Sequence, residues 1–298
     1  MQYTAETMLV RSNDRGETGE FARVTPGQAG WEFLGMYALR LNRGQRFSAM
    51  TGGMELAIVI LGGRCSVRSS RANFEHIGRR PNVFSGMPWA VYLPRQTEWE
   101  LEALTDGLEV AICEVPAEED FPAQLVTPQD SEIEIRGGTN ATRQINGILP
   151  PGFNCQRIVA VEVYTPPGNW SSYPGHKHDV HRVDEDGNLL EADLEEIYFY
   201  KFDRPGGYAY QRVYNDERSI DAVMMAQEHD AVLVPEGYHP VVSAHGYTSY
   251  YLNFLAGSAQ SLANSDDPDH AWVKDSWTWK DPRLPIVDMG MEPKRRQR

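Results

Sequence analysis

Apolar residues in this 298-residue chain come in short runs rather than helical stripes. Residues 57–61 (AIVIL) end at Gly62-Gly63, 91–93 (VYL) lead into Pro94, and 108–115 (LEVAICEV) alternate polar with apolar. The second half repeats the theme with 158–164 (IVAVEVY), 197–202 (IYFYKF), 231–234 (AVLV), 240–243 (PVVS) and 249–255 (SYYLNFL). Short β-branched or aromatic runs closed by Gly, Pro, Asn or Asp are strand signals. Helical periodicity is hard to find; 101–103 and 221–225 are expected as short turns or helices at most. Many short strands with Pro/Gly punctuation predict an all-β sandwich or barrel.

The two halves echo each other. Glu55 opens an apolar strand, as does Glu196, and Tyr92-Leu-Pro-Arg has the shape of Leu233-Val-Pro-Glu. Two copies of one β fold is the economical reading. Between about Pro116 and Asn146 the chain turns polar and holds three prolines. These features divide the chain into an N-terminal barrel over 1–120, a connector over 121–145, a second barrel over 146–275 and a tail over 276–298.

Composition narrows the partners. A net charge of −14 repels nucleic acid and anionic membranes. An anionic substrate then needs a local pocket of Arg or Lys. The basic run Lys294, Arg295, Arg296, Arg298 reads as a solvated terminus. Cys65, Cys113 and Cys155 form no CxxC pair and are odd in number, so a reducing cytoplasm fits and no disulfide framework is expected. No apolar stretch approaches the roughly 18 residues of a spanning helix, and no signal core opens the chain.

Chemistry concentrates in the second half. Six of the eight histidines fall between 176 and 245, and the N-terminal half holds only His76. On an extended strand, His176 and His178 project to one face. Glu196 opens a later apolar strand, and His239 follows the turn Pro235-Glu-Gly-Tyr. A lone HxH is weak and is often a pair of exposed strand histidines. The full pattern is far rarer by accident. Three imidazoles and one carboxylate suit a divalent ion, with Zn or Mn the first choice and Fe, Ni or Co the alternatives. Glu195 is the adjacent carboxylate; Glu196 is preferred because it directly precedes the apolar strand. His181 and His245 read as loop residues near the mouth, and His229 and His270 as surface groups.

HxH with Glu, then PxG with His, resembles the cupin superfamily, a double-sheet jelly roll. Closer still, Gly168-Asn-Trp-Ser-Ser-Tyr-Pro-Gly-His-Lys-His-Asp, Leu194-Glu-Glu-Ile-Tyr-Phe-Tyr-Lys-Phe, Gln211-Arg-Val-Tyr, Leu233-Val-Pro-Glu-Gly-Tyr-His-Pro-Val-Val, Tyr250-Tyr-Leu-Asn, Asp266-Asp-Pro-Asp-His-Ala-Trp and Arg136-Gly-Gly-Thr-Asn-Ala-Thr-Arg are similar to the 5-deoxy-glucuronate isomerase family of myo-inositol breakdown. This resemblance implies two tandem cupin barrels (double-stranded β-helices), the first without metal ligands. It implies conversion of 5-deoxy-glucuronate to 5-dehydro-2-deoxy-gluconate through an enediolate. Resemblance to the related 5-keto-4-deoxyuronate isomerase implies His176, His178, Glu196 and His239 as ligands of one metal ion. Glu196, Tyr251, His181 and a water are the candidates for moving the proton. Arg143 and Arg212 are the candidates for binding the small anionic sugar acid; Arg182 fits a surface salt bridge better. Trp170, Tyr198, Tyr200, Tyr238 and Tyr250 are candidate pocket walls. A homo-oligomer is compatible with all of this. An Fe-dependent cupin dioxygenase and a non-catalytic sugar-binding cupin are the rivals.

Overall fold

The computed structural model describes residues 2–291, so the basic run at 294–298 lies outside the described residues. The chain forms two β barrels. In the first, a six-stranded sheet orders Gln124–Val126, Trp89–Leu93, Met54–Gly62, Leu108–Pro116, Gly35–Leu41 and Gly19–Val24. It closes against a four-stranded sheet of Arg46–Met50, Glu98–Ala103, Cys65–Ser69 and Asn73–Ile77. The second barrel has an eight-stranded sheet that includes Leu189–Phe202, Ser249–Gly257, Val159–Thr165 and Arg143–Leu149. Its smaller sheet orders Trp170–Ser171, Val241–Ser243, Ala209–Tyr214 and Asp221–Ala226.

The uninterrupted apolar runs have a physical cause. A strand with one wet face alternates, whereas a strand covered on both faces need not. Along Met54–Gly62, Leu56, Ile58 and Ile60 fill the first barrel beside Leu39, Val67 and Leu101. The intervening Ala57, Val59 and Leu61 join the core that also holds Leu233 and Phe254 of the second barrel. The two large sheets therefore pack against each other. Residues 101–103 and 221–225, expected as turns or helices, are strand instead. Each has one exposed face, and its alternation was too short to stand out.

The seam between the barrels also carries charge. Arg80 donates to both carboxylate oxygens of Glu162 at 2.9–3.1 Å, with both side chains buried. His229, expected on the surface, is buried here: its Nδ1 lies 2.8 Å from Asp14 and its ring stacks on Phe199. The three cysteines are buried and free.

The halves exchange segments. Leu9–Val10 pairs with Ala231–Val234 of the second barrel, and Gln124–Val126 pairs with Trp89–Leu93 of the first. The stretch read as a connector contributes Ile133–Arg136, paired with Arg143–Leu149, to the second barrel's large sheet. Past 276 the chain docks on the same hairpin: Thr139 donates to the Trp279 carbonyl at 2.8 Å, and Gln144 exchanges hydrogen bonds with Ile286 and Val287.

Candidate active site

The long strand Leu189–Phe202 sorts its side chains by alternation. Glu196 and Tyr198 face the interior of the second barrel and line a cavity of about 420 Å³. Glu195 points the other way. Its carboxylate accepts the backbone N–H groups of Glu32, Phe33 and Leu34 at 2.5, 2.9 and 2.7 Å. Glu195 therefore binds the first barrel's backbone, and Glu196 is the acid available to the cavity.

Two imidazoles meet Glu196. His178 Nε2 lies 2.9 Å from its Oε2, and His239 Nε2 lies 3.2 Å from the same oxygen. Donor atoms of the three side chains lie within 4.8 Å of one another, and all three residues are buried. His239 is aimed by the turn before it. Gly237 has φ +91°, and a Cβ there would stand 2.6 Å from the Tyr214 carbonyl oxygen, so glycine is required. His176, on the short strand His176–Lys177, is half-buried and lines the cavity, its ring 4.7 Å from that of His239.

The hydrogen bonds fix the tautomers. His178 Nδ1 faces the Leu194 carbonyl at 2.9 Å and His239 Nδ1 faces the Gly237 carbonyl at 2.8 Å. A carbonyl only accepts, so each Nδ1 carries the proton and each Nε2 turns its lone pair inward. Two lone pairs converging on one carboxylate oxygen repel unless a proton or cation joins them. Among the described residues His239 Nε2 makes no hydrogen bond despite complete burial. This donor set fits a divalent cation held by imidazole nitrogens and a carboxylate.

Burial would raise the Glu196 carboxyl, but the His178 and His239 imidazoles that face it outweigh this and hold the pKa at about 2. Burial and the neighbouring His239 push His176 well below the ordinary histidine value. Both groups stay in their ligating forms at neutral pH.

A scan of family models matches the KduI/IolB family over residues 8–273. The chain belongs to the KduI/IolB family. It is 41% identical over 269 residues to the 5-deoxy-glucuronate isomerase of Geobacillus thermodenitrificans, covering 90% of this chain and 96% of that one. It is 38% identical over 252 residues to the enzyme of the same name from Bacillus subtilis (84% and 91% covered). Among solved structures, an IolB-like protein from Salmonella typhimurium superposes with a TM-score of 0.84 at 36% identity, covering 89% of this chain and 98% of that one. Bacillus subtilis oxalate decarboxylase, at 13% identity, superposes with a TM-score of 0.56 over 89% of this chain and 78% of that one, a likeness of fold alone. The architecture is thus the tandem cupin.

Within this KduI/IolB member the other expected site residues divide. Arg143 and Tyr251 line the cavity beside His176 and Glu196. Tyr251 shares a 2.6 Å hydrogen bond with Ser171. Arg143 is buried, yet its guanidinium has no hydrogen-bond or ion-pair partner among the described residues. Arg212 is not there: it forks onto Asp221 at 2.7 Å for both bonds, lies 4.1 Å over the Tyr214 ring, and belongs to the outer sheet. Tyr238 is not there either. As the neighbour of inward-facing His239 it points outward, packing on Tyr214 and donating to Asp216. Of the expected aromatic walls, Tyr198 lines the cavity, whereas Tyr250 faces the seam near Glu162. His181 bonds Ser258 and Arg182 bonds Ser265, both on the surface.

Sequence reading missed Ser172, Asn253, Glu134 and Arg136 in the cavity wall. Asn253 sits two residues after Tyr251 and alternation alone reaches it. Arg136 and Glu134 lie on a short strand within the polar, proline-punctuated stretch whose composition indicates a connector.

Proposed function

We propose that this chain is a 5-deoxy-glucuronate isomerase, an intramolecular aldose–ketose isomerase of myo-inositol catabolism, with its site in the second barrel. One observation carries the reading. A single cavity is lined by His176, by Glu196 of the buried His178–Glu196–His239 cluster, and by the buried Arg143, whose guanidinium has no hydrogen-bond or ion-pair partner among the described residues. A sugar acid needs both: an electrophilic centre for its carbonyl end and a cation for its carboxylate.

His176, His178, Glu196 and His239 are the residues that would hold the ion. Bound there, a divalent cation such as Zn or Mn supplies a Lewis acid for the negative charge that an aldose-to-ketose proton shift generates. The remaining work falls to the chain. Arg143 takes the substrate carboxylate through a two-pronged guanidinium contact. Burial raises the Tyr251 hydroxyl above its ordinary pKa, so it stays protonated at neutral pH and can give a proton to a substrate oxygen. Ser171, at 2.6 Å, holds that hydroxyl in place. Glu196 gives Oε2 to the imidazoles, while its Oε1 has no hydrogen-bond partner among the described residues.

Incubating metal-loaded protein with 5-deoxy-glucuronate and following the mixture by NMR tests this reading. The expected result is a ketose product that forms equally well without oxygen. Intact metal with no ketose signal removes the isomerase assignment, and a strict oxygen requirement moves the protein to the dioxygenases.

A further inference from the structure

The hairpin joining Ile133–Arg136 to Arg143–Leu149 carries an arginine at each end of its loop, Arg136-Gly-Gly-Thr-Asn-Ala-Thr-Arg143. In the antiparallel register Arg136 stands directly opposite Arg143. Directly opposed residues share a face of the sheet, and like charges in that position repel. Both side chains line the same cavity as His176 and Glu196. Two guanidinium groups thus stand side by side at one end of the cavity, and that of Arg143 has no hydrogen-bond or ion-pair partner among the described residues.

The arrangement is held firmly. Gly137 has φ +83°, and a Cβ there would stand 2.0 Å from the Ala141 carbonyl oxygen; a Cβ on Gly138 would stand 2.3 Å from Trp277 Cβ. Asp281 N donates to Thr142 Oγ1 from the other side at 3.3 Å. Loop and C-terminal segment together fix the register that places the two arginines side by side.

One carboxylate already sits at this positive end. Glu134, two residues before Arg136 on the same strand face, takes Arg136 Nε and Nη2 at 2.7 and 2.6 Å in a two-pronged pair. Both partners are about half exposed, at 41% and 51%. A pair so open to water contributes little to folding, with a median of about 0–1 kcal/mol. It can be exchanged for another carboxylate at small cost.

We infer that Arg136 is a second substrate-binding arginine, forming with Arg143 a paired clamp for the carboxylate of the sugar acid, and that Glu134 is the internal carboxylate the substrate displaces from it. This rests on the isomerase reading for the identity of the substrate. The clamp selects uronates over neutral aldoses, since only a substrate carboxylate can take the place of Glu134 on Arg136 while also meeting Arg143. Arg136 acts on binding and orientation at the end remote from the reacting carbons, so its loss belongs in KM rather than kcat.

The test compares 5-deoxy-glucuronate with its methyl ester, which keeps the shape and removes the charge. Arg136→Gln is expected to raise KM for the acid about 10–100-fold, the range for losing one charged hydrogen-bonding group. It should leave kcat within a few-fold and KM for the ester unchanged, and Arg136→Lys should recover part of the loss. Glu134→Gln is expected to lower KM for the acid several-fold. An equal loss for acid and ester, or no loss at all, overturns the clamp; an unchanged or higher KM in Glu134→Gln overturns the displaced-carboxylate part. If the wild-type chain turns over neither compound, the isomerase reading fails. Calorimetric titration of acid and ester into wild type and Arg136→Gln then still reads the clamp, through the presence or absence of a charge-dependent difference.

Discussion

The two barrels share one strand plan and differ in what one position carries. In the first, Leu56 pairs with Leu93, just before Pro94; in the second, Glu196 pairs with Val234, just before Pro235. Glu196 is thus the counterpart of Leu56, and Glu195 is the counterpart of Glu55. The latter pair behave alike. Glu55 accepts backbone N–H groups of Gln156, Arg157 and Ile158 from the second barrel at 2.7–3.0 Å. Glu195 accepts those of Glu32, Phe33 and Leu34 beside the first. Each barrel grips the other's backbone with the same outward acid. The inward neighbour is then free to differ, and it is leucine in a dry core or glutamate among histidines. Fold and chemistry separate along one strand by a single step of the pleat.

The largest expected effect tests that step. Glu196→Gln should lower metal affinity and activity at least about 100-fold, because it removes a charged donor from the cluster. Glu195→Gln should leave bound metal at the wild-type level and reduce stability, since its three N–H donors lose a charged acceptor. Metal content by atomic absorption beside urea unfolding reads both. Metal loss in the Glu195 variant with full metal in the Glu196 variant would invert the assignment.

Much of this was legible beforehand, and the limits are physical. The strands that enter both cores, such as Met54–Gly62 and Ser249–Gly257, announce themselves as unbroken apolar runs. His178, Glu196 and His239 stood out because ligand chemistry constrains residue type as well as spacing. The internal echo in the sequence aligns Glu55 with Glu196, one residue out of register, because both halves begin the strand with an acid and only backbone pairing distinguishes inward from outward. Arg212 and Tyr238 lie within the family-like motifs but on the outward face. Short strands flanked by turns do not disclose which face is which. His229 misled for the opposite reason, as its burial depends on Phe21, Asp14 and Lys201, all distant in sequence.

A second way to sharpen the comparison is to give the first barrel the second's acid. Leu56 is fully buried among Ile58, Val91 and Leu93, with no imidazole in that core. Leu56→Glu should cost about 3–5 kcal/mol, as for other uncompensated buried charges, and should add no second metal equivalent. Urea midpoints and metal stoichiometry decide it; unchanged stability would mean that the first barrel already tolerates a polar centre. The seam gives a matching case. Arg80→Ala leaves the Glu162 carboxylate buried with, among the described residues, only Asn146, Tyr164 and Tyr250 as neutral donors. A loss of about 3–5 kcal/mol is expected, and the double variant Arg80→Leu, Glu162→Leu should recover most of it. A double variant as unstable as the single one would show that the cost comes from packing rather than from the stranded charge.

The smallest effect concerns the N-terminal segment that crosses to the second barrel. Asp14 accepts two bonds from Arg40, at 2.5 and 2.8 Å, and faces His229 Nδ1 at 2.8 Å. The Arg40 hydrogen bonds lead, against some burial, in lowering its carboxyl to about 2 from an ordinary value near 3.8. The folded pKa is below the unfolded one, so the unfolded chain binds the proton more readily. The stabilisation is therefore complete above about pH 4 and declines as pH falls from there towards 2. Asp14→Asn should remove this portion of the acid-limb slope while lowering stability at pH 7 by less than either seam variant, because the group is partly open to water. Unfolding curves at pH 3 and pH 7 measure the difference. If Asp14→Asn destabilises equally at both pH values, the carboxylate's charge contributes nothing there, and the crossing segment is held by Leu9–Val10 pairing and by Arg11 on Asp230.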